Sequence, residues 1–229
     1  EKGKEKERIL SSIFSYLSTL SLLLSRYNSL SGLSLLWVLF MYKFSEHGFD
    51  FLWPVMLVDG GIERRVILKS QFLLGHVASL LGACIGSIVT SYTGNSVLSL
   101  SLCASFRLVP ELMQLLFSLS LSSSPILLSP SLTHSFSYIS LHSLLENIAG
   151  SAVTSSMFSL LLSLSDPSLP SSSYAMMNTF VSLGMKSGEF YSSLSSHYLG
   201  TTPVLSLLLS MNIFFPISLL LIRKWRLLS

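Results

Sequence analysis

Charged residues are scarce in this chain. Asp, Glu, Lys and Arg together make up 11% of its 229 residues, whereas soluble domains carry about 25%. Four stretches contain no charged residue at all: 70–106, 112–145, 147–165 and 190–222. A helix needs about 20 predominantly apolar residues to cross the hydrocarbon core of a bilayer. The scarcity of charge therefore argues against a soluble domain and predicts an all-α, multi-pass integral membrane protein.

Cysteine and the usual motifs of catalytic sites are also scarce. The only two cysteines, Cys84 and Cys103, lie in apolar runs without the spacing of metal ligands, so we expect them to pack in the interior. No pair among the five histidines has the spacing of a metal or haem site. The sequence contains no phosphate-binding loop, catalytic triad or Cys-x-x-Cys motif. These absences predict a protein that is not an enzyme and that binds no metal or cofactor.

Apolar runs are abundant, and they predict six membrane-spanning helices. We place these spans at residues 9–25, 30–42, 70–92, 97–121, 136–165 and 190–222. A charged N-terminal tail at residues 1–8 precedes the first span, and a basic C-terminal tail at residues 223–229 follows the last. Two further apolar stretches, residues 51–58 and 174–185, are too short to cross. Stretches of this length are typical of re-entrant or interfacial segments.

The distribution of Lys and Arg supports this number of spans. Six spans place both termini and the loops after the second and fourth spans on one side of the membrane. Arg26 and Lys186 then lie on the opposite side, and nearly all other basic residues collect on the first side: Lys2, Lys4, Lys6, Arg8, Lys43, Arg64, Arg65, Lys69, Arg223, Lys224 and Arg226. Such a bias is the one that sets orientation in multi-pass proteins.

Several short motifs surround the two short stretches. They are Trp53-Pro54-Val55, a small-residue run from Ser79 to Gly86, Glu111 after Val109-Pro110, Met177-Asn178-Thr179-Phe180, and His197 to Gly200 with Pro203. The arrangement resembles the aquaporin family, in which a half-helix beginning at an Asn-Pro-Ala motif follows the second and the fifth spans. Trp53 and Asn178 occupy the positions of the two motif asparagines.

The resemblance implies a fold and a function. The fold would be an aquaporin-like bundle over residues 9–222, with six transmembrane helices and two re-entrant half-helices in an inverted repeat. The protein would then be a channel for water or small neutral solutes, and it would form the homo-tetramer of that family. In such a channel the positive ends of the half-helices orient water and repel cations.

The chain departs from the family at the motifs themselves. Trp53 replaces the first asparagine, Thr179 replaces the second proline, and Val181 stands where the family has its selectivity arginine. These departures resemble those of the unorthodox branch of aquaporins. They indicate a degenerate or closed pore, and the bulky rings of Trp53 and Phe180 point the same way. The alternative is a non-transporting scaffold subunit of a larger membrane complex, such as a respiratory complex.

Ionisable residues also occur within the predicted spans. Arg107 and Glu111 lie one helical turn apart, and so do His142 and Glu146. Intramembrane groups of this kind are either paired anchors or functional residues. The run from Ser105 to Leu108 resembles the Ser-Leu-Arg-Leu of the proton-carrying a subunit of rotary ATP synthases, which leaves a proton channel using Arg107 as a further alternative.

Two remaining patterns concern partners of the chain. Gly82 and Gly86 form a Gly-x-x-x-Gly face that allows two helices to approach closely. The net charge of +3 is too small to indicate nucleic-acid binding. The predicted partners are therefore the lipid bilayer and either further copies of the chain or other subunits. Composition fits the plasma membrane and an organellar membrane, such as the mitochondrial inner membrane, equally well.

Overall fold

The computed structural model describes residues 30–122, 135–165 and 170–224. About 94% of these residues are helical, and none of them lies in a strand. The predicted tail at residues 1–8, the predicted span at 9–25 and residues 225–229 of the basic tail fall outside the described residues. The described part is thus all-α, as the composition predicts.

Six long helices make up this part of the chain. They are α1 (Leu30–Asp59), α2 (Arg64–Thr93), α3 (Ser96–Leu121), α4 (Phe136–Leu164), α5 (Pro170–Leu199) and α6 (Thr201–Lys224). Helix α2 contains a π-helical turn, Lys69–Leu74, between its α-helical parts. Within the described residues, four helices are long and apolar enough to cross a bilayer, namely α2, α3, α4 and α6 up to Leu221. They are compatible with a multi-pass membrane protein.

The predicted half-helices and their boundaries are wrong. Residues 51–58 lie within the continuous helix α1, and residues 174–185 lie within the continuous helix α5. The predicted span 30–42 does not stop at Lys43 because this residue is buried and pairs with Glu46, 2.5 Å away. Lys186 likewise does not interrupt α5; its side chain is exposed and pairs with Glu189 at 2.8 Å along the same helix. Charged residues that suggested breaks are therefore satisfied within continuous helices.

The boundary of the last helix also differs from the prediction. It begins at Thr201, whereas the sequence predicted a span from residue 190. Gly200 adopts a φ of 82°, a left-handed conformation that ends a helix and that glycine adopts at little cost. Gly94 ends α2 in the same way, with a φ of 59°, and the side chain of Asn95 then caps α3 by accepting from the Leu98 amide at 3.0 Å.

The helices pack in a repeated pattern. The two most extensive contacts are α1 with α5 and α2 with α4, followed by α3 with α4, α3 with α6, and α1 with α6. If α1 is relabelled as α4, α2 as α5 and α3 as α6, and the reverse, the same set of five contacting pairs is obtained. The helices α1–α3 and α4–α6 therefore behave as two repeats of three helices each.

Glycines support the same division of the chain. Gly82 and Gly86 on α2 lie against the backbone of Ile148 and Ala152 on α4, so close that an added Cβ would collide with both carbonyls. Gly184 and Gly188 on α5 lie in the same way against Phe40 and Phe44 on α1. In each repeat, a Gly-x-x-x-Gly face on the second helix thus packs against the first helix of the other repeat.

Candidate functional site

Arg107, on α3, lies at the centre of a buried group of charges. Its side chain is 2% exposed. Its Nη1 donates to the carboxylate of Glu46 on α1, and its Nη2 donates to Asp50 Oδ1 at 3.0 Å and to Glu146 Oε1 at 2.6 Å. Arg107 Nε is 3.5 Å from Glu111 Oε1, one turn along the same helix. One guanidinium therefore joins α1, α3 and α4.

Two further side chains extend this group. Lys43 Nζ pairs with Glu46 Oε2 at 2.5 Å. Asn212 of α6 donates its amide to Glu111 Oε1, also at 2.5 Å. The bonds thus connect the first and last helices of both repeats, which indicates that the charges hold the middle of the bundle together.

The charges in this group do not balance. We define the Arg107 cluster as its two basic and four acidic side chains: Lys43, Arg107, Glu46, Asp50, Glu111 and Glu146. If all are ionised, negative charge is in excess. Burying charge in a low-dielectric interior is costly unless each charge is paired. The excess therefore favours the uptake of a positive charge, either as protons or as a bound cation.

Two neighbouring cavities border the cluster. We call them the paired cavities, and their volumes are about 220 Å³ and about 240 Å³. Asp50, Glu146 and Asn147 line both of them. The first cavity is also lined by Trp53, Gln71, Gln114, His142 and Ser143. The second is also lined by Glu46, Arg107, Gly150 and Ser151. The Asp50 side chain is 38% exposed, so the cluster is accessible from outside the protein core at this point.

Two rings and an amide line part of the first cavity. The rings of Trp53 and His142 lie 4.0 Å apart between centroids, and Phe117 packs edge-on against Trp53 at 5.2 Å. Gln114 is fully buried beside them, and neither its amide oxygen nor its amide nitrogen has a hydrogen-bond partner in the described part of the chain. Buried polar atoms without partners are uncommon in proteins, and each one suggests a missing ligand or water.

Local backbone irregularity shapes the same cavity. The π-helical turn Lys69–Leu74 carries Gln71, which lines the cavity, and Ser70, whose carbonyl accepts from the Ser143 hydroxyl at 2.9 Å. Asn147 is fixed by donating to the Ser143 carbonyl at 2.8 Å and by accepting from Ser79 at 3.1 Å. π-helical turns occur frequently at functional sites, and this one adjoins the lining of the cavity.

The structure brings together one set of the residues that the sequence analysis singled out. The sequence placed Arg107 and Glu111 in one pair on α3, and His142 and Glu146 in another on α4. In the structure, both pairs lie within or beside the same cluster. Trp53 joins them because its ring contacts that of His142.

The other predicted pore residues lie elsewhere. None of residues 178–181 lines either cavity. Thr179 is exposed and bonds back to the Ala175 carbonyl at 2.9 Å, while Val181 packs in the apolar core with Phe180 partly buried against it. Pro54 and Val55 are exposed on the outside of α1. Trp53 and Asn178 therefore do not form a pair of facing motifs.

Sequence reasoning missed the contribution of α1 to the cluster. Lys43, Glu46 and Asp50 are spaced by three and four residues, which places them on one face of a helix. This spacing is a usable signal, but the interpretation of Lys43 as the end of a span obscured it. Gln114 and Asn212 carry no charge and lie in apolar runs, so only the structure identifies them.

Comparison of the chain with protein-family models, with curated proteins and with solved structures finds no match in any of the three.

Proposed function

We propose that this protein is a secondary transporter in which the Arg107 cluster is the site that binds the transported or coupling cation. The observation that carries the proposal is the position of the cluster, buried between helices of both repeats and bordered by the paired cavities. Ionisable residues inside a membrane bundle that face a cavity mark ion and substrate pathways.

The helix arrangement supports the same function. If all six helices cross the membrane, each helix of the second repeat comes three spans after its equivalent. Because three is odd, equivalent helices run in opposite directions, and the second repeat is inverted relative to the first. Inverted repeats are typical of secondary transporters, and repeats of three plus three helices are nested in each six-helix half of the major facilitator transporters. Substrate and coupling ions bind near the middle of the bilayer at the interface between repeats in such folds. The Arg107 cluster joins helices from both repeats.

The electrostatics supply a reason for transport of positive charge. The excess of carboxylates is stable in a low-dielectric interior only when a cation or protons compensate it. Arg107 cannot release its own proton because its guanidinium remains charged at any physiological pH. Exchangeable positive charge therefore resides on or beside the carboxylates, and we assign this role to Glu146 and Asp50, which line both cavities.

The channel alternative stays a prediction from the sequence. It requires a continuous file of water along residues 53–55 and 178–181, but the contacts described above give no specific support for such a file. A scaffold role and a proton channel that uses Arg107 also stay predictions. The same experiment separates all four functions.

Proteoliposomes that contain the purified protein and an internal pH indicator dye test the proposal. Four groups of solutes are added outside the vesicles under an imposed pH gradient, each group separately: amines, sugars, carboxylates and short peptides. We expect at least one group to change the internal pH, and we expect Glu146→Gln to abolish the change. Glu189→Gln is the matched control, since Glu189 lies on α5 outside the paired cavities and pairs with Lys186.

The other outcomes each contradict the proposal. Rapid osmotic swelling without any solute-dependent pH change would indicate the channel. A proton leak that needs no solute would indicate a proton channel. No response of either kind from correctly folded protein would favour the scaffold.

A further inference from the structure

The paired cavities carry features that select one chemical class of ligand. We propose that they bind a small organic ammonium ion, with its charge between the carboxylates of Asp50 and Glu146 and its carbon chain against the ring of Trp53. The inference rests on the proposed transport function, because it names the substrate class of the same site.

The positions of the two carboxylates come first. Asp50 Oδ1 and Glu146 Oε1 both accept from the same nitrogen of Arg107, so the two groups are neighbours although they belong to α1 and α4. The second oxygen of Glu146 is buried and has no hydrogen-bond partner among the described residues. Of the four carboxylates that contact Arg107, that of Asp50 is the most exposed. The pair therefore keeps acceptor capacity after Arg107 is satisfied, and an ammonium group supplies the donors it lacks.

Gln114 is the second, independent observation. Its amide is buried in the wall of the first cavity, and neither its oxygen nor its nitrogen has a partner in the described chain, so the oxygen is a free acceptor. An ammonium group has three N–H donors and no acceptor. Two carboxylates and one amide oxygen therefore match its hydrogen-bonding capacity.

The aromatic wall indicates an organic cation over a bare metal ion. The rings of Trp53 and His142 lie 4.0 Å apart between centroids, and both side chains line the first cavity. Aromatic faces attract organic cations, with tryptophan the most effective. Within the described residues, no group of three or more His, Cys, Asp or Glu side chains is arranged to hold a metal ion. A volume of about 220 Å³ lies below the range of about 300–1,000 Å³ that is usual for pockets of drug-sized ligands, so the cavity suits a small ligand.

Anionic ligands are disfavoured by the same charges. Arg107 is the only Lys or Arg among the residues that line the paired cavities, and three carboxylates already contact it through its terminal nitrogens. An anion would need to displace one of these carboxylates and leave it unpaired.

Three ligands of nearly equal size test the inference: n-butylammonium, n-butanol and n-butyrate. Their binding to the full chain in lipid nanodiscs is measured by ligand-observed NMR. We expect n-butylammonium to bind at least tenfold more tightly than either of the others. Asp50→Asn should weaken this binding at least tenfold, and Gln114→Leu should weaken it about fivefold. Asp59→Asn, the same change at the exposed end of the same helix, should have no effect. Equal binding of the three ligands, tighter binding of n-butyrate, or unchanged binding after Asp50→Asn would overturn the inference.

Uptake by proteoliposomes separates this inference from the transport function. Binding of n-butylammonium without any uptake would support the cation site and contradict transport. Uptake of a sugar or a carboxylate that excess n-butylammonium does not inhibit would support transport and overturn the cation site.

Discussion

Arg107 of α3 and Glu146 of α4 form a buried ion pair with 2.6 Å between Nη2 and Oε1. The pair links a helix of the first repeat to the first helix of the second. Because Asp50 accepts from the same nitrogen, any movement of Glu146 changes the surroundings of Asp50 as well. Such a shared contact provides a physical route by which binding in the paired cavities can affect the packing of the two repeats.

Arg107→Ala should destabilise the protein severely. Its removal leaves four carboxylates without their shared partner, and breaking a buried ion pair costs about 3–5 kcal/mol. We expect loss of monodisperse protein on size exclusion in detergent and a lower melting temperature. Arg64→Ala, at an exposed position at the start of α2, is the control and should behave like the wild type.

A second substitution makes this prediction sharper. Adding Glu146→Gln to Arg107→Ala removes one of the unpaired carboxylates, so it should recover part of the lost stability. If Arg107→Ala melts at the same temperature as Arg64→Ala, the guanidinium does not hold the bundle together.

The sequence predicted the helices whose ends coincide with turn signals. The predicted spans 97–121 and 136–165 differ by about one residue from α3 and α4, because Gly94-Asn95 precedes α3 and Asp166-Pro167 follows α4. It failed for α1 and α5, where Lys43 and Lys186 follow apolar stretches. A single sequence does not show that Lys43 and Glu46 satisfy each other and Arg107 inside the bundle, so these charges were interpreted as helix ends.

The site was predictable only in parts for a similar reason. Arg107 and Glu146 stand out in apolar runs, but which acids contact Arg107 depends on the packing of helices that are distant in sequence. The Gly-x-x-x-Gly face at Gly82 was visible because it lies in an apolar span. The equivalent face at Gly184 was missed, since it falls where a half-helix and a polar loop were predicted.

Substitution of the packing glycines should have matched effects in the two repeats. Gly82→Leu on α2 and Gly184→Leu on α5 each force a side chain into the backbone of the facing helix. Overpacking of this kind typically costs about 1–3 kcal/mol, and we expect both variants to lose similar amounts of stability in thermal unfolding. Ala83→Leu, one residue away and exposed, is the matched control. A large effect at Gly82 with none at Gly184 would contradict the repeat.

Asn212 should be important for the stability of the bundle around Glu111. Its amide is the hydrogen-bond donor to Glu111 Oε1 from α6. Asn212→Leu removes this bond and leaves a buried acceptor less satisfied, at a cost of about 1–3 kcal/mol. Asn212→Asp has nearly the same shape but places a second carboxylate beside Glu111, so it should be the less stable of the two. Thermal unfolding in the same detergent measures the order, and the reverse order would show that Glu111 does not depend on this donor.

The most direct test concerns the inversion of the two repeats, on which the proposed transport function depends. Tyr92 and Tyr198 occupy equivalent places, each two residues before a positive-φ glycine, and both are highly exposed, at 92% and 75%. Each is replaced by cysteine after Cys84→Ser and Cys103→Ser, and sealed vesicles are labelled with an impermeant maleimide. Inverted repeats predict that the two cysteines react from opposite faces of the membrane. Reaction from the same face, in folded protein, would mean that α5 does not cross and would contradict the account.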